Sequence, residues 1–285
     1  MEAIPEHVNL TTFYLDRNLD EGRAERPALF YQDRTYTFED VALLTNRVGN
    51  VLRDLGVEPE DRVLLALNDS PEFVASWFGT VKIGAVATDV YSFLQVKDYA
   101  YFLDYTRAKV AVVDPQTADK IQEAARGSRW LRHILVVGRD APSEGLLSFD
   151  RLVAGASDAL DPEATHADDV ALWKFTSGST GKPKGVPLTH RNSIYSFLTF
   201  GRQVLGYTVE DITLSVPKLF FGYARDAGVV FAFGAGAAAA IFPERSTPER
   251  LFDMIERHRP TILVNVPTMI NKMVAHPGAE TRDLS

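Results

Sequence analysis

Apolar positions recur along the chain in two alternating spacings. After Thr37, which stands three residues before Asp40 in a capping arrangement, Val41, Leu44, Val48, Leu52 and Leu55 recur at helical spacing until Gly56 ends the run. Residues 62–67 then read as a short buried strand. Ser70 followed by Pro71 gives an N-cap and a first-turn proline, and opens a helix through Phe73, Trp77, Phe78 and Val81 that stops at Gly84. Strands follow at 86–90, 109–113 and 133–137, with helical patterns at 97–105 and 117–125 between them.

The stretch 155–169 is rich in Ser, Asp, Pro, Glu and Thr with little periodicity, and reads as a linker. It predicts a first α/β subdomain over 1–165 and a second over 166–285. The second run of alternation has strands at 170–175 and 186–189, a helix at 190–205, a strand at 212–216 and a helix at 225–233. A strand at 238–242, a helix at 247–258, a strand at 261–264 and a helix at 267–275 complete it. Such alternation predicts βαβ units, hence a layered α/β fold with mostly parallel sheets covered on both faces. The Gly and Ala cluster at 233–240 reads as close helix-to-strand packing rather than a ligand loop.

Composition narrows the chemistry. A length of 285 residues fits one large or two ordinary domains, and 17 Phe, 10 Tyr and 3 Trp supply a core that a disordered chain would lack. A net charge of -8 disfavours binding nucleic acid through its phosphates. With no Cys there is no disulfide framework, thiolate zinc site or cysteine nucleophile, so thiol chemistry requires an external thiol. The longest apolar stretch, 229–242, is interrupted by Gly234 and Gly236 and falls short of the roughly 20 residues a spanning helix needs. The first ten residues carry Glu2 and Glu6 and lack the basic-then-apolar order of an export signal. The expectation is a soluble cytoplasmic protein without a membrane partner.

One loop carries distinctive chemistry: Thr176-Ser177-Gly178-Ser179-Thr180-Gly181-Lys182-Pro183-Lys184-Gly185. Glycines let backbone N–H groups turn toward one point, and four hydroxyls and two ammonium groups add the donors a polyanion requires. Neither the Walker spacing nor the Gly-x-Gly-x-x-Gly turn fits it. By composition alone a flexible hairpin connection stays equally open. The whole string, continued by Val186-Pro187-Leu188-Thr189-His190-Arg191-Asn192, resembles the phosphate-binding signature of adenylate-forming enzymes, the superfamily of acyl-CoA and aryl-CoA synthetases, luciferases and peptide-synthetase adenylation domains.

Further segments extend the resemblance: Arg34 to Asp40, Leu55-Gly56-Val57 with Asp61-Arg62-Val63, and Lys82-Ile83-Gly84-Ala85-Val86. Pro217-Lys218-Leu219-Phe220-Phe221-Gly222-Tyr223, with Arg259-Pro260-Thr261 and Val266-Pro267-Thr268, is most similar to the benzoate-CoA ligase type. Pro187, Trp173 and Lys174 depart from the family's usual residues.

The resemblance implies the N-terminal domain of the adenylate-forming enzyme fold with the C-terminal domain absent. It implies a two-step reaction using ATP, Mg2+ and coenzyme A: a small carboxylic acid attacks the α-phosphate, and the thiol of coenzyme A then displaces AMP. Thr176, Ser177, Ser179 and Thr180 would bind the β- and γ-phosphates with the Gly178 and Gly181 amides. Lys184, the catalytic candidate beside Thr176, would face the leaving pyrophosphate. Phe221 falls at the family's gating position, Gly222 and Tyr223 would shape a slot for an aromatic ring, and Val264, Asn265 and Pro267 are weaker pocket candidates. No residue is assigned to a metal.

Phe220 reads as core, His190 as a helix-start residue rather than a base, and Arg225 with Asp226 as a solvated or locally paired helix start. The acid could be benzoate, a hydroxy- or aminobenzoate, a cinnamate-like acid or a medium-chain fatty acid. The other class of reading is a non-catalytic nucleotide- or acid-binding fragment, or a half-enzyme needing its remaining portion in trans.

Overall fold

In β3 (Arg62–Ala66), Val63 and Leu65 enter one apolar cluster while Leu64 and Ala66 enter another, so a single strand serves two cores. A strand buried on both faces needs helices above and below it, and the architecture follows from meeting that need twice. The computed structural model describes residues 3–138, 143–176 and 181–284.

The other strands are β1 (Pro27–Tyr31), β2 (Arg34–Thr37), β4 (Val86–Asp89), β5 (Val110–Val113) and β6 (His133–Val136). They continue with β7 (Leu147–Ser148), β8 (Val170–Thr176), β9 (Lys184–Thr189), β10 (Ile212–Ser215), β11 (Ala238–Ile241) and β12 (Ile262–Val264). They form a seven-stranded sheet in the order β7-β6-β5-β3-β4-β8-β9 and a five-stranded sheet in the order β12-β10-β11-β1-β2. All pairings are parallel except the hairpins β1–β2 and β8–β9.

Between the sheets lies a layer of helices that includes Phe38–Asp54, Pro71–Lys82 and Phe231–Ala235. Their apolar faces share one cluster with Val63, Leu65 and Ala87 of the larger sheet and with Leu29, Ala239 and Ile241 of the smaller. Helices Val96–Thr106 and Pro115–Ala125 cover the outer face of the seven-stranded sheet. Helix Pro248–His258 covers that of the five-stranded sheet, with Met269 and Met273 of helix Pro267–Val274. Among the described residues no helix is long and apolar enough to cross a membrane.

The sheets do not divide at 165/166. β1 and β2, early in the chain, join β10–β12, and β8 and β9, after the expected boundary, complete the seven-stranded sheet. The segment read as a linker is a strap across the central helices. Asn46 and Asn50 donate to the Asp158 and Ser157 carbonyls at 2.8 Å each, and Glu163 N donates to the Lys82 carbonyl at 2.8 Å. Its polar composition reflects backbone pairing that periodicity does not register.

The capped starts hold: Thr37 and Asp40 form a reciprocal capping box, and Ser70 Oγ accepts from Phe73 N at 3.1 Å. The Gly and Ala cluster is a close approach, since a Cβ on Gly234 would lie 2.8 Å from the Phe197 ring. Helices Phe38–Asp54 and Pro71–Lys82 cross closely, and a Cβ on Gly79 would meet Thr45 O at 2.9 Å and Gly49 N at 3.0 Å. Backbone atoms cannot swing aside, so Gly79→Ala must separate the helices and is expected to cost about 1–3 kcal/mol in denaturant unfolding. A wild-type midpoint for that variant would contradict the crossing.

Candidate functional site

Parallel strands in each sheet run the same way, so their carboxyl ends gather on one side, where open α/β sheets bind ligands. Here both sheets direct those ends into one cavity of about 1480 Å³. Asn68 follows β3, Asp89 to Tyr91 end β4, and Phe175 with Thr176 ends β8. Val216 to Lys218 follow β10, Pro243, Arg245 and Ser246 follow β11, and Val266 follows β12.

Two charged contacts lock the sheets together at this rim. Lys218 lies 3.5 Å from buried Asp69 Oδ2, donates to the Phe242 carbonyl at 2.6 Å, and sits 3.6 Å from the Phe242 ring centroid. Asp69 Oδ1 accepts from Leu219 N at 2.8 Å. Burial pushes the Asp69 carboxyl up to about 6 although Lys218 opposes the shift, and burial also lowers the Lys218 ammonium. Asp114, likewise raised to about 6 by burial, accepts from Asn68 N at 2.6 Å, and Asn68 Oδ1 accepts from Ser92 Oγ at 2.9 Å.

The second contact decides between the solvated and the locally paired readings of Arg225 in favour of pairing, and adds Asp89 as a distant partner. Its side chain is 2% exposed, pairs with Asp89 and lies 3.6 Å from Asp226, which pairs with Lys174 of β8. The guanidinium also stands 5.0 Å from the Trp77 ring centroid. The solvated alternative fails because helix Gly222–Arg225 leads into the central layer, where water is excluded.

Phe220 is wall rather than core. It is 4.8 Å from Tyr91 and 4.4 Å from Phe221 between ring centroids, and Tyr91 continues to Phe93 at 5.3 Å. These rings form an aromatic side of the cavity across the two sheets.

Thr176, Gly181 and Phe221 line the cavity, as does Lys182. Lys184 pairs with Thr176 across the hairpin, is exposed, and is not among the lining residues. Ser177, Gly178, Ser179 and Thr180 lie outside the described residues. Gly222, Tyr223 and Asn265 do not line the cavity. The space beside Gly222 is taken by Lys174, whose Cδ lies 2.6 Å from where a Cβ would stand, while Tyr223 is 56% exposed. Asn265 turns its Oδ1 to Val266 N at 2.7 Å. Tyr91, Asp89 and Lys218 were not singled out as cavity residues by sequence; their shared signal is position just at or after a strand's carboxyl end.

His190 is a packed residue. Thr189 caps its helix, and its Nδ1 accepts from Leu10 N at 3.0 Å. Burial lowers its pKa to about 4.

Comparison with known proteins gives concordant matches. The family described as AMP-binding enzyme matches residues 15–285. The chain is 34% identical over 275 residues to benzoate–CoA ligase of Thauera aromatica, covering 96% of this chain and 51% of that protein. It is 35% identical over 276 residues to 4-hydroxybenzoate–CoA/benzoate–CoA ligase of Rhodopseudomonas palustris, covering 97% and 51%. The solved structure of the anthranilate CoA ligase AuaEII with anthranoyl-AMP superposes with a TM-score of 0.96 at 34% identity, covering 100% of this chain and 55% of that one. The chain spans about half the length of the curated relatives it matches.

The His190 geometry fixes a sign. Because the folded pKa of about 4 lies below the ordinary 6.5, the ring's contribution is complete above pH 6.5 and is lost as pH falls toward 4. The full loss is about 3 kcal/mol. Asp69 and Asp114, raised by burial, contribute slopes of the opposite sign, so the comparison is differential. The stability advantage of the wild type over His190→Asn is expected to shrink between pH 7 and pH 5 in denaturant titrations; a constant difference would show that the ring is not held neutral.

Proposed function

The chain belongs to the AMP-binding enzyme family, and from that premise we propose that it supplies the N-terminal portion of an ATP-dependent, AMP-forming acid–CoA ligase acting on an aryl acid of the benzoate kind. The observation that carries this reading is the cavity, with hydroxyl, glycine and lysine groups of the hairpin at one part and an aromatic wall at another. A polyphosphate and a flat apolar acid need those two surfaces within one space. The names of the relatives support the same acid class.

In the proposed reaction the acid's carboxylate oxygen attacks the α-phosphate of ATP, forming acyl-adenylate and releasing pyrophosphate. The sulfur of coenzyme A then attacks the acyl carbon and AMP leaves. This chain, which contains no Cys, contributes positioning and charge rather than a cysteine nucleophile. Thr176, Ser177, Ser179 and Thr180, with the Gly178 and Gly181 amides, are proposed to hold the β- and γ-phosphates, and Lys184 to meet the leaving pyrophosphate. Phe221 is proposed as the gate between acid and thiol, with Gly222, Tyr223 and Asn265 shaping the acid's surroundings when the site is filled. Mg2+ is expected to arrive on the phosphates of ATP. Among the described residues no group of three or more His, Asp or Glu side chains gathers to hold a metal, and no step is assigned to it.

The test is acid-dependent pyrophosphate release by the intact protein across benzoate, hydroxybenzoates, aminobenzoates and a medium-chain fatty acid. Aryl acids are expected to exceed the aliphatic acid in kcat/KM by about tenfold or more. A preference for the aliphatic chain would replace the aryl reading with a fatty-acyl one, and no acid-dependent release would remove the ligase reading. The 285-residue chain by itself is expected to show a small fraction of the intact rate, because binding not directed at the transition state does not accelerate the reaction.

A further inference from the structure

Two tyrosines one turn apart on helix Val96–Thr106 hold the returning leg of the β8–β9 hairpin. Tyr101 Oη donates to the Pro183 carbonyl at 2.7 Å, and Gly185 N donates to Tyr105 Oη at 3.2 Å. Their i, i+4 spacing places both rings on one helix face. At Gly185 a Cβ would meet Tyr105 Cε1 at 2.9 Å and Phe175 Cε1 at 3.3 Å, so the glycine permits the approach. Phe102 completes the contact from below, edge-on to Phe175 at 4.7 Å between centroids.

Lys182 stands beside this contact. Its ammonium lies 5.8 Å from the Tyr101 ring centroid, and both residues line the cavity. Among the described residues that ammonium has no carboxylate partner. A lysine loses considerable rotamer freedom when it is ordered, so an aromatic surface that pre-orders its stem and attracts its charge lowers the cost of meeting an anion. The neighbouring Pro183 restricts the backbone, and its carbonyl is the atom Tyr101 fixes.

We propose that Tyr101 is the positioning residue of Lys182, one of the two hairpin ammonium groups suited to a polyanion, and that it readies that ammonium for the polyphosphate of a nucleotide. The inference rests on the ATP-dependent reading above, and adds to that site a tyrosine that lies outside the hairpin string. Tyr101 acts twice, through its hydroxyl on the Pro183 backbone and through its ring on the Lys182 side chain.

The test is calorimetric titration of the purified 285-residue chain with inorganic pyrophosphate and with ATP, alongside thermal unfolding of each variant. Lys182→Met is expected to bind pyrophosphate about tenfold more weakly, the loss of one charge-assisted contact, and Lys182→Arg to stay within about threefold of wild type. Tyr101→Leu is expected to match the Lys182→Met loss, and Tyr101→Phe, which keeps the ring, to lose less. In the double variant Tyr101→Leu with Lys182→Met the two losses should not add, because both remove one contact. A purely structural tyrosine would lower the unfolding midpoint and leave affinity unchanged, or would add its full loss to that of Lys182→Met, and either result overturns the proposal. Wild-type affinity in Lys182→Met overturns it alone. If the wild-type chain binds neither pyrophosphate nor ATP, the nucleotide reading falls with it.

Discussion

The arrangement depends on two parallel sheets being held with their carboxyl ends facing one space. Twisted sheets separated by a helical layer have no intrinsic reason to stay in that relation, and the contacts that keep it are at the rim. Lys218, after β10, reaches Asp69, after β3, and Arg225, on the helix that follows the β10 turn, reaches Asp89 at the end of β4. Each joins residues of the two sheets' neighbourhoods across a buried boundary. Neither contact is inexpensive, since removing a charge from water costs more than a surface pair returns, and the raised Asp69 and lowered Lys218 both record that cost. Buried pairs of this kind add little net stability, but each brings residues of the two sheets' neighbourhoods together at the rim of the cavity.

The central layer sets the spacing that these pairs then lock. Helices Phe38–Asp54 and Pro71–Lys82 meet through Gly49 and Gly79, with backbone nearly touching backbone. The strap at 155–169 then lies across both helices and ties Lys82 through its carbonyl to Glu163. Lys82 itself is buried and reaches Asp16 at 2.9 Å, connecting the first helical turns to the same layer. Helix crossing, strap and rim pairs are thus three levels of one constraint, and the hairpin held by helix Val96–Thr106 is positioned at its edge.

Local signals were legible in the sequence and non-local ones were not. The capping box at Thr37 and Asp40 and the Ser70-Pro71 start place helices within a residue or two, because caps are made by neighbours in the chain. Doubly buried strands such as β3 and β5 read as apolar runs for the same reason. Sheet membership could not be read this way. The pairing of Leu29 with Ala239 joins residues more than two hundred positions apart, and β1, short and beginning at Pro27, left no alternation to mark it. The candidate site divides similarly. The Thr176 to Gly185 string is contiguous, so its chemistry was visible, whereas the aromatic wall of Tyr91, Phe220 and Phe221 is assembled from two sheets. Lys174, distant in sequence, extends past Gly222 to reach Asp226, a neighbour that the local string around Tyr223 did not show.

The central claim is that both sheets present one binding space at their carboxyl ends. The most direct measurement is amide hydrogen exchange of the 285-residue chain with and without a non-hydrolysable benzoyl-adenylate analogue. The expected result is slowed exchange following β3, β4 and β10 together, at Asn68, Tyr91 and Lys218, and at Gly181 and Lys182 of the hairpin, with the amino ends of the same strands unchanged. Protection confined to one sheet, or appearing at the strands' amino ends, would contradict the account.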